Sequence, residues 1–294
     1  MILFLPFFVF FLIASAFSIN KIILYSISPN FFVTLRMGIS GILLILFFCR
    51  EKKTLISAKN KIKDLILISF FTTLIPSILR AYAIRSISSS RASFWGSFEP
   101  FITAIYMYFM FNEKLNLNKF IGCILGFIGA VFFIFTNSSL ISNKIEFIFY
   151  LADFFQIMSI VLSRYGWIKS KIILDNKNLN FSPQQLNGFT FTISSILSLI
   201  ITFIFNGKNG FIIKYSWNLL FYMIYTIFIG NMLAYSLYGY LLKKYNVTLI
   251  SLIGLSTPLF VHLLGPILLN ESISIYFFIS LLFLFFAFYF FNKK

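Results

Sequence analysis

Charge, histidine and cysteine are all scarce in this chain of 294 residues. Only 11% of the residues are charged, with 8 acids and 1 histidine. Soluble domains carry close to a quarter charged residues, so a water-soluble fold of this length would lack the polar groups to cover its surface. The two cysteines, Cys49 and Cys123, stand far apart in or beside apolar segments, which excludes a disulfide framework and a cysteine-based metal site. HExxH, GxSxG and phosphate-loop patterns are absent, and the acids are scattered. A membrane enzyme acting on lipid, the reading from another functional class, would gather such groups into a cluster at the interface. No catalytic residue, metal or cofactor is therefore expected. A channel or a noncatalytic scaffold is the third reading. The opening MILFLPFFVFF lacks both a basic leader and a small-residue cleavage pattern, and reads as a retained span.

What the chain has in abundance is apolar length: 60% of it is hydrophobic and 21% aromatic. Apolar runs long enough to cross a bilayer recur at 3–24, 31–49, 65–84, 92–111, 119–136, 146–164, 186–205, 216–239, 247–269 and 274–291. None alternates like a barrel strand, and a backbone in lipid must satisfy its own hydrogen bonds, so the spans are expected to be helices. The fold class is an all-α integral membrane protein with ten transmembrane helices. The net charge of +16 excludes nucleic acid as partner, because the cations fall in the gaps between spans instead of on one face. With both termini in the cytoplasm, 16 of the 24 basic residues face inward, Arg164 among them. Six face outward, including Lys21 and Arg91, and Arg36 and Arg80 remain within spans. That bias supports ten spans in a bacterial inner membrane with both termini cytoplasmic. The polar gap around 165–185 reads as a mobile loop.

The sequence also matches itself. AYAIRSISSSRASFWGSFEPFITAIYMYFMFNEKL, from Ala81, falls without a gap on GYLLKKYNVTLISLIGLSTPLFVHLLGPILLNESI, from Gly239. Tyr82 meets Tyr240, Pro100 meets Pro258, and Asn112-Glu113 meets Asn270-Glu271. The offset carries span four onto span nine, a unit of five spans. Five is odd, so the second copy enters the membrane upside down. The expected division is a first repeat at 1–140 and a second, inverted repeat at 145–294. Inverted repeats are typical of secondary transporters, whose substrate site lies near the midplane between the halves. Pro100 and Pro258 each remove a helical hydrogen bond, and such kinks are tolerated where they face the bundle interior.

SINKIILYSISPNFFVTLR (18–36), the Tyr-Ala and Glu-Pro of the quoted segment, and FNEKLNLNKFIGCILGFIGAVFF resemble the drug/metabolite transporter superfamily, and within it the EamA-type ten-span transporters. The second copy keeps Pro258 and Glu271 but has Ser272 where the family pattern has Lys. The resemblance implies two inverted halves around a central cavity lined by spans one, three, four, six, eight and nine, with alternating access. It also implies a small metabolite as substrate, such as an amino acid, a nucleotide sugar or S-adenosylmethionine, and no bound cofactor. A nucleotide-sugar or drug exporter of the same superfamily is the alternative.

A charge at a span centre costs about 2.5–3.5 kcal/mol on insertion scales, so intramembrane ionisable groups are the candidate site. Glu99 is expected to face the cavity and bind a cation on the substrate or a coupling proton; the competing reading is a packing pair with Arg80 or Arg36. Arg80 suits a substrate carboxylate or phosphate. Asp153 and Gln156, three residues apart on one helix face, and His262 complete the polar candidates. Tyr82, Trp95 and Tyr235 are candidates to stack on a ring or a cation. Lys21, Arg36, Pro100, Pro258, Glu113 and Glu271 are assigned gating or structural roles. One acid with at least one Arg suits a zwitterion, whereas a nucleotide sugar would want more cations. Further expected partners are membrane lipid and a coupling proton or exchange substrate; Gly122 and Gly126 point to close helix packing or to contact with a second copy of the chain.

Overall fold

The computed structural model describes residues 4–87, 89–112, 117–138, 151–176, 179 and 181–269, and scattered positions from 279 to 290. Glu113 and Glu271 lie outside these residues, as does most of the expected tenth span. Among the described residues the chain is helical, with one isolated antiparallel bridge, Ile27 to Ile213. Six helical runs there are long and apolar enough to cross a membrane: Phe4–Ile23, Pro29–Phe48, Ile62–Ser86, Pro183–Phe211, Trp217–Lys244 and Val247–Gly265.

The helices begin and end where local chemistry dictates. α1 is Phe4–Ile23 and α2 is Pro29–Phe48, with Pro29 in the first turn, where its missing N–H costs nothing. A short basic helix, α3 (Lys52–Asn60), leads to α4 (Ile62–Ile68) and α5 (Ile75–Ser86). α4 and α5 are joined through a π segment, Ser69–Leu74. Pro76 accounts for it: a proline lacks the N–H that would bond the carbonyl four residues back, so the register loosens over the preceding turn. After α6 (Ser89–Gly96), α7 (Glu99–Phe111), α8 (Leu117–Ser138) and α9 (Leu151–Asp175) comes α10 (Pro183–Asn206). A capping box starts α10: the Gln185 N–H donates to the Ser182 hydroxyl at 3.2 Å, and the Ser182 N–H donates to Oε1 of Gln185 at 2.9 Å. α11 (Trp217–Tyr225) passes through a second π segment, Thr226–Ala234, into α12 (Tyr235–Lys244). α13 (Val247–Ile253) and α14 (Ser256–Leu269) follow.

Two expectations are corrected here. The stretch read as a loop from 165 is helical to Asp175, because its charges find partners within the fold. Lys171 pairs with Asp175 at 3.1 Å and donates to the Leu242 carbonyl at 2.5 Å. Pro100 and Pro258 do not kink continuous helices. The fourth segment is broken at Ser97–Phe98 and the ninth at Gly254–Leu255, and each proline sits in the first turn of the half-helix that follows.

α2 lies along α10 with small and hydroxyl residues between them. Ser195 donates to the Thr34 carbonyl and Ser198 to the Asn30 carbonyl, both at 2.9 Å. A Cβ added at Gly41 would stand 2.6 Å from the backbone nitrogen of Thr192. Gly41→Ala is therefore expected to force the two helices apart at about 1–3 kcal/mol, read as a lower melting temperature of the purified protein; an unchanged value would contradict the close approach. Gly126 packs inside the chain, where an added Cβ would meet Leu255 and Ala287. This glycine thus serves the close helix packing expected of it.

Candidate substrate cavity

The two helix breaks face a shared cavity. Its larger lobe takes walls from α1, α5, α6, α7, α9, α12 and the α13–α14 junction, through Phe10, Phe17, Arg80, Ser93, Glu99, Gln156, Arg164, Trp167, Tyr235, Tyr238 and Thr257. In the numbering expected from the sequence these fall on the first, third, fourth, sixth, eighth and ninth segments. A second lobe continues past Ile13, Phe17, Arg80 and Tyr235 to Asn20, Phe32, Arg36, Ser77 and Gly230.

Glu99 is the first residue of α7, at the half-helix N-terminus. Unsatisfied backbone N–H groups there carry a partial positive charge that favours a carboxylate, so the break makes room for an acid in a membrane segment. The carboxylate pairs with Arg164 at 3.2 Å and keeps 18% of its side chain exposed, against 6% for the arginine. Nη1 of Arg164 donates to the Tyr238 hydroxyl at 2.9 Å. Tyr238 packs on Trp167 with ring centroids 4.6 Å apart, and Trp167 on Tyr235 at 5.5 Å. One wall of the lobe is thus a carboxylate, a guanidinium and three aromatic rings.

The expected partners of Glu99 were Arg80 and Arg36; the partner in the structure is Arg164, which the charge count had placed in a loop. Its guanidinium is tolerated inside the helix because an acid and a phenol hydroxyl replace water. The signal was in the spacing: Gln156, Ile160, Arg164 and Trp167 follow one face of α9, and Tyr238 sits one turn beyond Tyr235.

The structure brings Glu99, Arg80, Gln156, Tyr235 and Pro258 to the lobe and turns other candidates elsewhere. Asp153 is fully buried and bonded twice to Arg91, Nε to Oδ1 at 2.8 Å and Nη2 to Oδ2 at 2.7 Å. The Trp95 indole N–H donates to the same Oδ1 at 2.8 Å. Asp153 and Trp95, expected on the cavity, instead join α6 to α9, because a bidentate guanidinium and an indole occupy the carboxylate. Tyr82 packs edge-on against Phe155 in the core. His262 is buried in α14 away from both lobes. Lys21 donates to the Ile87 carbonyl at 3.0 Å, a cation at the end of α5. Arg36, assigned to packing or gating, lines the second lobe.

The sequence matches the EamA-like transporter family over residues 1–135 and 147–293. The chain belongs to this family. It is a membrane transporter and not an enzyme. Among its relatives, it is 26% identical to the S-adenosylmethionine/S-adenosylhomocysteine transporter of Chlamydia muridarum, over 92% of this chain and 85% of that one. It is 25% identical to the transporter of the same name in Chlamydia trachomatis serovar D, over 92% and 83%. An uncharacterised transporter of Bacillus subtilis is 19% identical over 87% of this chain. One solved crystal structure superposes on 96% of the chain, with a TM-score of 0.70 at 14% identity, and shares the fold.

Proposed function

We propose that this protein carries a zwitterionic metabolite of the S-adenosylmethionine kind by alternating access, exchanging it for a related solute such as S-adenosylhomocysteine. The observation that carries the reading is Glu99 at a half-helix N-terminus, ion-paired to Arg164 beside three mutually tilted aromatic rings, in a cavity that two broken helices face. An ammonium or sulfonium centre suits the carboxylate and the ring faces. The names of the Chlamydia transporters point to the same solutes.

Alternating access rests on two five-span halves, 1–140 and 145–294, in opposed orientation. Several boundaries recur 158 residues apart: helix ends at Ser86 and Lys244, and helix starts at Ser89 and Val247. The π segment from Ser69 finds its counterpart from Thr226, one residue off that offset. The excess of loop cations on one side supports cytoplasmic termini in an inner membrane. In proteoliposomes loaded with unlabelled S-adenosylhomocysteine, labelled S-adenosylmethionine should accumulate faster than in unloaded vesicles. Equal entry in both would remove the exchange reading.

A further inference from the structure

Arg36 and Arg80 line the same lobe from α2 and α5, and neither has an acid partner among the described residues. Arg36 is 8% exposed, and the Nε atoms of both side chains are buried without a hydrogen-bond partner. The guanidinium of Arg36 lies over the Phe32 ring at 5.1 Å. Arg80 also reaches the larger lobe, yet it forms no ion pair with Glu99, which is taken by Arg164. A buried cation without a counter-charge is costly, and fork-shaped guanidinium groups match planar oxyanions through paired hydrogen bonds. The Arg36 lobe therefore suits an anion.

We propose that Arg36 and Arg80 together form an oxyanion subsite that takes the carboxylate of the transported solute. This deepens the substrate reading and rests on it. The carboxylate enters the Arg36 lobe, and the cationic and ring portions lie along the Glu99 and Tyr238 wall. Substrate polarity is thereby fixed along the cavity, and the solute supplies the counter-charge to the two guanidinium groups. Amines of similar shape without a carboxylate leave both guanidinium groups unpaired and are rejected.

Two measurements on the purified full chain test this. The first needs no ligand. Arg36→Met removes an unpaired buried cation and Arg80→Met an unpaired, half-buried one whose Nε is buried; each keeps most of the side-chain volume, so the melting temperature should rise, by about 3 °C per kcal/mol relieved. A fall for both variants would mean that the arginines are structural and would overturn the subsite. The second compares S-adenosylmethionine with its decarboxylated analogue. Wild type should bind the analogue at least about thirtyfold more weakly, and Arg80→Met should erase the difference. Equal binding of the two by wild type overturns the proposal. If wild type binds neither S-adenosylmethionine nor S-adenosylhomocysteine, adenosine monophosphate supplies a phosphate oxyanion instead. Its Arg80-dependent binding would keep the subsite and remove the S-adenosyl reading; no binding of any of these probes would remove both.

Discussion

Glu99→Gln is expected to reduce uptake at least about tenfold, with near-normal protein level and melting temperature. The amide keeps the volume of the carboxylate and can still accept from Arg164, so the helix break should survive. What disappears is the negative charge at the N-terminus of α7. A cationic centre on the solute would lose its counter-charge in a low-dielectric site, and each 1.4 kcal/mol of lost binding is a factor of ten. The single variant alone leaves one ambiguity, because Arg164 would then be an uncompensated cation. The neutral double variant Glu99→Gln with Arg164→Gln resolves it. If the pair serves only to hold α7 against α9, removing both charges should restore uptake together with stability. If Glu99 meets the solute, the double variant should be stable and still inactive. Recovery of uptake in the double variant would therefore sink the binding role of Glu99.

That ambiguity exists because the sequence showed one half of the pair. Glu99 stood out as an acid before a proline inside an apolar run, and its place at a half-helix start explains why it is tolerated there. Arg164 did not stand out. A reading by hydropathy ends a span at the first cation followed by more cations, and Arg164 is followed by Lys169 and Lys171. The structure continues the helix because tertiary partners, Glu99 and Tyr238 for Arg164, and Leu242 and Asp175 for Lys171, replace the water that hydropathy assumes is needed. The same blindness hid Arg91, read as an outward loop charge and found clasping a buried acid. Proline and glycine carried more. Pro76 precedes no visible apolar break, yet it loosens α4–α5 into a π turn; Pro100 and Pro258 mark half-helix starts to within a turn. The helical elements were thus legible from apolar length and punctuation. The cavity lining was legible only where a polar residue sat alone among apolar ones, and illegible where its partner came from another span.

Removing Arg91 should have the largest effect on stability. Asp153 is fully buried, and its carboxylate is held by a bidentate guanidinium from α6 and an indole N–H from the same helix. Arg91→Met leaves that charge in the interior without its cation. Breaking a buried pair from one side costs about 3–5 kcal/mol, enough to empty the membrane of folded protein for a domain of ordinary marginal stability. The expected readouts are a steep loss of protein in the membrane fraction and a large drop in melting temperature for whatever can be purified. Replacing both partners, Arg91→Met with Asp153→Leu, removes the buried charge as well as its partner, and apolar replacements of buried pairs are often neutral. The double variant should regain most of the lost stability. It also separates the clamp from the cavity: neither Arg91 nor Asp153 lines a lobe, so uptake per folded molecule should return along with the fold. A double variant that folds but does not transport would show that Asp153 reaches the solute after all, in a state of the transport cycle with α6 moved away from α9.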